Sequence, residues 1–206
     1  MYQRYIKRLL DIFISVLALI LLSPIFVVLI ILIRLKLGYP VIFKQQRVGF
    51  NERVFIIYKF RTMSDKRDIN GDLLPDCERL TSFGKMLRFT SLDELPELWN
   101  IFKGDMSIVG PRPLLARYLP YYKEAERIRH SVRPGLTGLS QINGRNNTNW
   151  DTRLNFDINY VKNISPKNDI KIILITILKV LKSKDIINNI TSMKDFDEER
   201  GKPYDS

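Results

Sequence analysis

The chain has 206 residues, enough for one domain with a sizeable core, and 33 Lys and Arg against 22 Asp and Glu give it a formal net charge of +11. That surplus favours anionic partners: nucleic acid, acidic lipid or phosphorylated small molecules. The single cysteine, Cys77, excludes an internal disulfide and fits a reducing compartment; with only one histidine, His130, a His/Cys zinc site is excluded and Ser-His or Cys-His nucleophiles have little scope, so any chemistry rests on carboxylates, Lys/Arg and a hard metal.

The first element is membrane-like. Residues 12–33, "IFISVLALILLSPIFVVLIILI", carry no charge, and as one helix they would measure about 33 Å, enough to cross a bilayer. The run is too long for a cleaved signal peptide, and no small-residue cleavage site follows it. Ser23-Pro24 interrupts it at the centre, where Pro24 removes a backbone donor and clashes one turn back. Each half then reaches roughly 15–18 Å, and the Ser23 hydroxyl can take up a freed backbone group. Arg4, Lys7 and Arg8 precede the run, and Arg34, Lys36, Lys44 and Arg47 follow it. The positive-inside rule puts both flanks on the cytoplasmic side. Residues 1–36 are therefore expected to form a re-entrant helix-break-helix, not a span.

Next, 41–63 reads as two β-rich segments around a turn at Gly49-Phe50-Asn51, and 64–79 as a polar loop. A short helix is expected over 80–89 and another from near Asp93-Glu94. "GDMSIVGPRP" (104–113) predicts a turn, a short apolar stretch and a rigid exit. Residues 114–130 predict an amphipathic helix and 132–147 an irregular Gly-rich connector. Residues 165–184 predict a helix with Ser165 as N-cap and Pro166 at its first position. Its apolar stripe (Ile170, Ile173, Leu174, Ile177, Val180, Leu181) suits either core packing or a membrane interface. Residues 37–185 make up the expected catalytic domain, and 186–206 a polar C-terminal tail.

Four motifs bear on chemistry. Asp93-Glu94 has a plain structural reading, since Ser91 with Glu94 three residues on spells a capping box; a carboxylate pair at a helix start is equally placed to meet phosphate and metal. In Pro111-Arg112-Pro113 the prolines fix the backbone around a guanidinium suited to bidentate phosphate binding, although it is also an ordinary loop sequence. The stretch Gly135–Asn146, flanked by Arg133 and Arg145, is either a turn-rich connector or a backbone that approaches an anion closely. Lys59-Phe60-Arg61 and Arg88 add cations that alone are as readily solvated. Jointly the four suggest a multi-cation pocket facing a carboxylate pair, which suits pyrophosphate chemistry with Mg²⁺.

"QQRVG", "KFRTM", "SLDELPELWN", "GDMSIVGPRP" and "RPGLTGLSQINGRN" stand in order from the hydrophobic N-terminus to about residue 180. This ordered set resembles the bacterial sugar transferases, specifically the small monotopic phosphoglycosyl transferases. The nearest likeness is to the minimal members that begin the glycan of bacterial N-linked protein glycosylation. The resemblance implies a compact α/β monotopic membrane protein with a re-entrant helix-break-helix at Ser23-Pro24, a small β-hairpin or sheet and interfacial amphipathic helices. It implies transfer of a sugar-1-phosphate from a UDP-sugar to undecaprenyl phosphate, with release of UMP, in a ping-pong reaction through an aspartyl phosphosugar. The setting would be the bacterial inner membrane, with the site facing the cytoplasm and the phospholipid bilayer as a partner. By residue, it makes Asp93 the nucleophile and Glu94 the Mg²⁺ ligand, and assigns Lys59, Arg88, Arg112, Arg145 and Asp157 to substrate phosphate binding. Ser140 stands where many relatives have an aromatic residue or Ala, so sugar choice does not carry over; UDP-N,N′-diacetylbacillosamine is the first expectation from the likeness alone, with UDP-GalNAc, UDP-QuiNAc and UDP-galactose open. No nucleic-acid partner is expected. A membrane-tethered nucleic-acid-binding protein, or a membrane scaffold, is the alternative the charge allows; the first predicts a basic stripe with interleaved aromatics and no need for paired acids.

Overall fold

The computed structural model describes residues 2–144, 148–181 and 195–203. After a π-type turn at Tyr2–Ile6, helix α1 runs Lys7–Leu21 and α2 runs Ser23–Leu37. They meet at 62°, and no single helix among the described residues is long and apolar enough to cross a membrane. The break has the expected chemistry. Pro24 has no N–H to give the carbonyl of Ile20, and the Ser23 hydroxyl donates to that oxygen instead, at 2.7 Å. Leu9, Phe13, Leu17, Ile20 and Leu21 of α1 and Ile25, Val28, Ile31 and Leu35 of α2 are exposed, an uncovered apolar surface of the kind that marks an interaction site.

The opposite faces of this pair are core. Leu29 and Ile33 of α2 pack with Phe60 and Leu87; Ala18, Leu19 and Leu22 pack on Ile57, Leu98, Ile101 and Met106. The flanking cations, expected to serve topology, are partly spent inside the protein. Arg8 donates to the carbonyls of Ile101 (2.6 Å) and Phe102 (2.7 Å), and Lys7 pairs with buried Asp169 at 2.7 Å. Asp169 also accepts from Tyr2 (2.7 Å) and Tyr160 (2.8 Å). Asp11, only 3% exposed, accepts from Ser107 Oγ and the Ile108 N–H at 3.1 and 3.0 Å. The expected division at residue 36 is therefore no break in packing: the helix pair and the body share their cores.

Strands β1 (Ile42–Val48) and β2 (Val54–Phe60) form the expected antiparallel hairpin, with Ile42 opposite Phe60 and Val48 opposite Val54. Its turn passes through Asn51 at φ 51°, a left-handed position that Asn tolerates. The polar loop carries a single helical turn, α3 (Asp76–Arg79), and α4 (Ser82–Phe89) follows, capped by Thr81 Oγ1 accepting from the Gly84 N–H at 3.0 Å. Helix α5 is Glu97–Lys103. Its Asn100, fully buried, donates to Ile56 O (2.7 Å) and accepts from the Tyr58 N–H (3.1 Å), which pins α5 to β2.

Two expectations fail after this point. "SIV" and "GLT", read as a short apolar stretch and an irregular connector, are strands β3 (Ser107–Val109) and β4 (Gly135–Thr137), paired in parallel. Their glycines permit close chain-to-chain approach: a Cβ on Gly135 would lie 2.1 Å from Gly110 N, and one on Gly138 2.1 Å from Gly110 O. The amphipathic helix expected over 114–130 is two 3-10 segments, Ala116–Tyr121 and Glu124–Ser131. Pro120 withholds a donor inside the first, and extended Lys123 separates them.

Helices α6 (Leu139–Asn143), α7 (Trp150–Lys162) and α8 (Pro166–Leu181) complete the body. Ser165 caps α8 as expected, its hydroxyl accepting from the Asn168 N–H at 3.3 Å. Ile172 of α8 is buried, while Ile170, Leu174, Ile177, Leu178 and Leu181 form an exposed apolar stripe. The C-terminal stretch is more than a polar tail. Helix α9 (Phe196–Arg200) buries Phe196 completely against Tyr118, Tyr122, Trp150 and Leu154, and Arg200 pairs with Glu126 at 2.8 Å. Residues 186–194 and 204–206 of the expected tail, and the last turn expected at 182–184, lie outside the described residues.

Candidate active site

A cleft of about 990 Å³ is lined by β1, β2, the 61–79 loop, the acidic pair and the walls contributed by β4, α6, α7 and α8. Lys59, Arg88, Asp93, Glu94, Arg112 and Asp157 all border it. Arg145 lies outside the described residues.

The acidic pair stands on a 3-10 turn, Leu92–Glu94. The capping box does not form, because Ser91 is left-handed (φ 56°, ψ 18°) and its side chain caps nothing. That left-handed residue turns the chain sharply out of α4 and presents the acids to the cleft. Leu95 is helical (φ −54°, ψ −38°) despite preceding proline. Pro96 sits at the entry to α5, where a missing N–H costs nothing.

The two acids have different surroundings. Glu94 Oε1 accepts from Lys59 Nζ at 2.6 Å and from Arg112 Nη2 at 3.0 Å, whereas Oε2 receives no hydrogen bond among the described residues. Burial alone would raise the Glu94 pKa; Arg112 and Lys59 outweigh it and hold the group ionised, near 2. Asp93 is 8% exposed and has no salt-bridge partner among the described residues. Burial, and secondarily the charge of Glu94, push it up to about 6, with Lys59 and Arg88 partly offsetting them. A carboxyl with that pKa is mostly ionised at neutral pH, and it is not tied up by a cation. A third acid, Glu97, is 3% exposed. Its Oε1 lies 3.0 Å from Lys59 Nζ, within ion-pair range but without an aligned hydrogen bond. Burial and the neighbouring Glu94 raise its pKa. Lys59 is thus held between two carboxylates.

Arg112 is more open than Lys59, its side chain 48% exposed against 16%. Its segment is gripped from both sides: Arg129 Nη2 donates to Arg112 O at 2.6 Å, and Arg47 Nη1 to Pro113 O at 3.3 Å. Arg129 is in turn paired with Asp157 Oδ2 through Nε (3.1 Å) and Nη2 (2.9 Å), both side chains nearly fully buried. Asp157 therefore orients Arg129, and a carboxylate facing a phosphate would repel it. Arg88 Nε donates to Thr62 Oγ1 at 3.0 Å. Arg133, a flank of the Gly-rich motif, is occupied elsewhere, donating to Gly104 O at 2.9 Å. Sequence reasoning missed Glu97, Asn100 and Arg129, and read Arg47 only as a flanking charge. The signal for Glu97 was available as a third acid in "DELPEL"; for Arg129 nothing local distinguishes it from its neighbours Arg127 and Arg133.

No group of three or more His, Cys, Asp or Glu side chains among the described residues could hold a metal ion unaided. Mg²⁺ needs less: one or two carboxylates, with substrate phosphates and water completing its shell. The open Oε2 of Glu94, at the cleft wall, fits that role.

A profile of the bacterial sugar transferase family matches residues 2–183. Among curated relatives, the "uncharacterized sugar transferase EpsL" of Bacillus subtilis is 49% identical over 189 residues, 91% of this chain and 94% of its own length. The "undecaprenyl-phosphate galactose phosphotransferase" of Salmonella typhimurium is 39% identical over 197 residues, 87% of this chain and 41% of its own length. The "UDP-glucose:undecaprenyl-phosphate glucose-1-phosphate transferase" of Klebsiella pneumoniae is 40% identical over 183 residues, 84% of this chain and 39% of its own length. The chain thus spans nearly all of the first and about two-fifths of the other two. Profile and relatives place this chain in the bacterial sugar transferase family, as an enzyme of the phosphoglycosyl transferase type.

Proposed function

We propose that this chain moves a sugar-1-phosphate from a UDP-sugar to undecaprenyl phosphate, releasing UMP, in two steps through Asp93. The observation that carries the reading is the asymmetry of the acidic pair: among the described residues, Glu94 is bound by two cations and Asp93 by none. In the first step an Asp93 oxygen attacks the sugar-linked phosphorus; the bond from that phosphorus to the bridging oxygen breaks, and UMP leaves with the electron pair. In the second, an oxygen of the lipid phosphate attacks the same phosphorus, the Asp93–phosphorus bond breaks, and the carboxylate returns. Arg112, fixed by its two prolines and by Arg129 and Arg47, meets the phosphoryl oxygens as a rigid fork. Lys59, held between Glu94 and Glu97, and Arg88 supply positive charge beside Asp93. Mg²⁺, held by Glu94 with the diphosphate, would screen the repulsion between the acids and the substrate.

The relatives' names include UDP-glucose and undecaprenyl phosphate, which supports a nucleotide-sugar donor and a polyprenyl phosphate acceptor. They name galactose and glucose, so the expected diacetylbacillosamine gains nothing from them; the donor is a UDP-sugar of unassigned sugar. We place the enzyme at the cytoplasmic face of the bacterial inner membrane, with α1 and α2 re-entrant. The bend, the exposed apolar faces of α1, α2 and α8, and the basic ends of the helix pair support this. The test is UMP release across a panel of UDP-sugars with undecaprenyl phosphate and Mg²⁺. One sugar should give lipid-dependent multiple turnover; no UMP from any of them contradicts the reading.

A further inference from the structure

We infer that Phe196 of α9 is a positioning residue for the reaction: it braces the 3-10 stretch that carries Arg129 against α7, and so holds the Arg112 segment in place. This rests on the part given to Arg112 in the reaction proposed above. Phe196 lies beyond residues 2–183, the part of the chain that the family profile matches.

The stretch in question needs support from outside itself. Residues 116–131 form two 3-10 segments, the second of them, Glu124–Ser131, eight residues long. Hydrogen bonds in a 3-10 helix are poorly aligned, and runs beyond three or four residues are uncommon. Helix α9 supplies aromatic and ionic contacts to it and to α7 together. The fully buried Phe196 ring has its centroid 5.5 Å from that of Tyr118, 5.1 Å from Tyr122 and 5.2 Å from Trp150. Tyr118 and Tyr122 belong to the 3-10 stretch, and Trp150 opens α7. Arg200 joins the same two elements, its Nη2 lying 2.8 Å from Glu126 Oε1 and 2.5 Å from Asp151 Oδ1. The other oxygen of Glu126 accepts from the N–H of Lys123, the extended residue between the two 3-10 segments, at 2.8 Å. Arg117 adds pairs with Asp195 and, at 3.1 Å, with Asp197.

From Phe196 a short path leads to the site. The Tyr122 hydroxyl accepts from Arg129 Nη1 at 3.1 Å. Arg129 Nη2 donates to Arg112 O at 2.6 Å and pairs with Asp157 of α7 at 2.9 Å. On the α7 side, Trp150 and Asp157 line the cleft. Phe196 thus packs on both halves of this clamp: on the tyrosine that bonds Arg129, and on the helix that bears Asp157. It is not one of the residues lining the cleft, so it reaches the substrate only through Arg129 and Arg112. A fork placed in advance loses much of its value when it is displaced by even about 1 Å.

The first test is a kinetic cycle on the full chain. Phe196→Leu keeps an apolar side chain but loses the ring that spans Tyr122 and Trp150. It should lower the kcat of UMP release about fivefold or more, with the donor KM within about twofold of wild type. In an Arg112→Lys background the same change should cost less than about twofold, because a fork already lost cannot be misplaced further. In an Arg88→Lys background, at a cation bonded to Thr62 instead, the two effects should multiply. An unchanged kcat, effects that multiply with Arg112→Lys, or an equal coupling to Arg88→Lys each overturns the inference; the last is what a merely structural role would give. The second test is hydrogen exchange without substrate. Phe196→Leu should speed exchange in peptides covering 112–131 and 150–157 and leave the 42–60 hairpin unchanged; faster exchange everywhere, or nowhere, overturns the brace. Should Phe196→Leu fail to fold, Arg200→Gln, which leaves the aromatic cluster intact, is read in both tests with the same outcomes. Normal turnover in Arg112→Lys alone would refute the part given to Arg112 in the reaction, and the exchange result would still decide the brace.

Discussion

Arg112 and His130 show how side chains of ordinary appearance become specific through their neighbours. Arg112 has one Nη on Glu94 and lines the cleft. Arg112→Lys keeps the charge but gives up the planar fork. Turnover should fall about 10- to 1000-fold, some 1.4–4 kcal/mol of transition-state stabilisation, with an unchanged melting temperature; near-normal turnover would remove Arg112 from the site. His130 is 4% exposed. Nε2 lies 3.3 Å from Arg129 Nη1 and Nδ1 3.3 Å from Glu52 Oε1, so the neutral ring accepts from the first and donates to the second. Burial, then Arg129 and Arg127, push its pKa from 6.5 down to about 3. Between those values the unfolded chain binds a proton that the folded one refuses, so stability falls as pH drops from about 6.5 towards 3, by at most about 1.4 kcal/mol per unit. Urea melts of detergent-solubilised protein should show a shallower fall for His130→Gln than for wild type, and equal slopes would count against a neutral buried imidazole. Sequence alone marked Asp93, Glu94 and Arg112 because acids beside each other and an arginine between prolines are locally unusual. It missed Arg129 and Glu97 because their meaning comes from contacts with Asp157, Arg112 and Lys59, remote in the chain.

At the scale of elements, local chemistry was legible where a residue acts on its own turn. Pro24 and Ser23 specify the break, and Ser165 specifies the start of α8. It was illegible where three-residue strands depend on a distant partner: β3 and β4 carry too few residues to display an alternation, and only their crossing explains Gly110 and Gly135. Gly110→Ala puts a Cβ 2.4 Å from Arg133 O, a backbone atom that cannot yield alone. The clash should cost about 1–3 kcal/mol or more and shift the adjoining Arg112 segment, lowering both the melting temperature and turnover. A variant normal in both would mean the crossing is looser than described. The break makes its own prediction. With Ser23 and Pro24 both changed to Ala, the Ile20 carbonyl can accept a helical N–H, and α1–α2 should straighten towards a span. Single cysteines near residues 3 and 38 should both label from the cytoplasmic side in the parent. In the double variant one of them should move to the other side; a residue-3 label reachable only from the periplasm in the parent contradicts the re-entrant reading.

For the whole molecule, hydropathy and Pro24 made the N-terminal run legible as a broken apolar helix pair, but they could not reveal how far that pair is built into the body. Lys7, Arg8, Asp11, Leu29 and Ile33 all bond or pack across the expected boundary. Removing residues 1–36 should therefore leave Phe60, Leu87 and Ile101 uncovered and yield a chain without a cooperative thermal transition. A soluble, cooperatively melting fragment would show instead that the body folds without the helix pair. The cleft is bordered by Asp93 and Glu94 and by Thr176, Lys179 and Val180 of α8, the helix that also carries the exposed apolar stripe. The central claim is that Asp93 carries the phosphosugar from the UDP-sugar to the lipid phosphate. Its most direct test is the intact mass of wild-type protein given its UDP-sugar and Mg²⁺ with no lipid acceptor. A gain of one phosphosugar, lost on adding undecaprenyl phosphate and absent from Asp93→Asn, is the predicted result. An unmodified protein that releases UMP only when both substrates are present would contradict it and point to direct transfer.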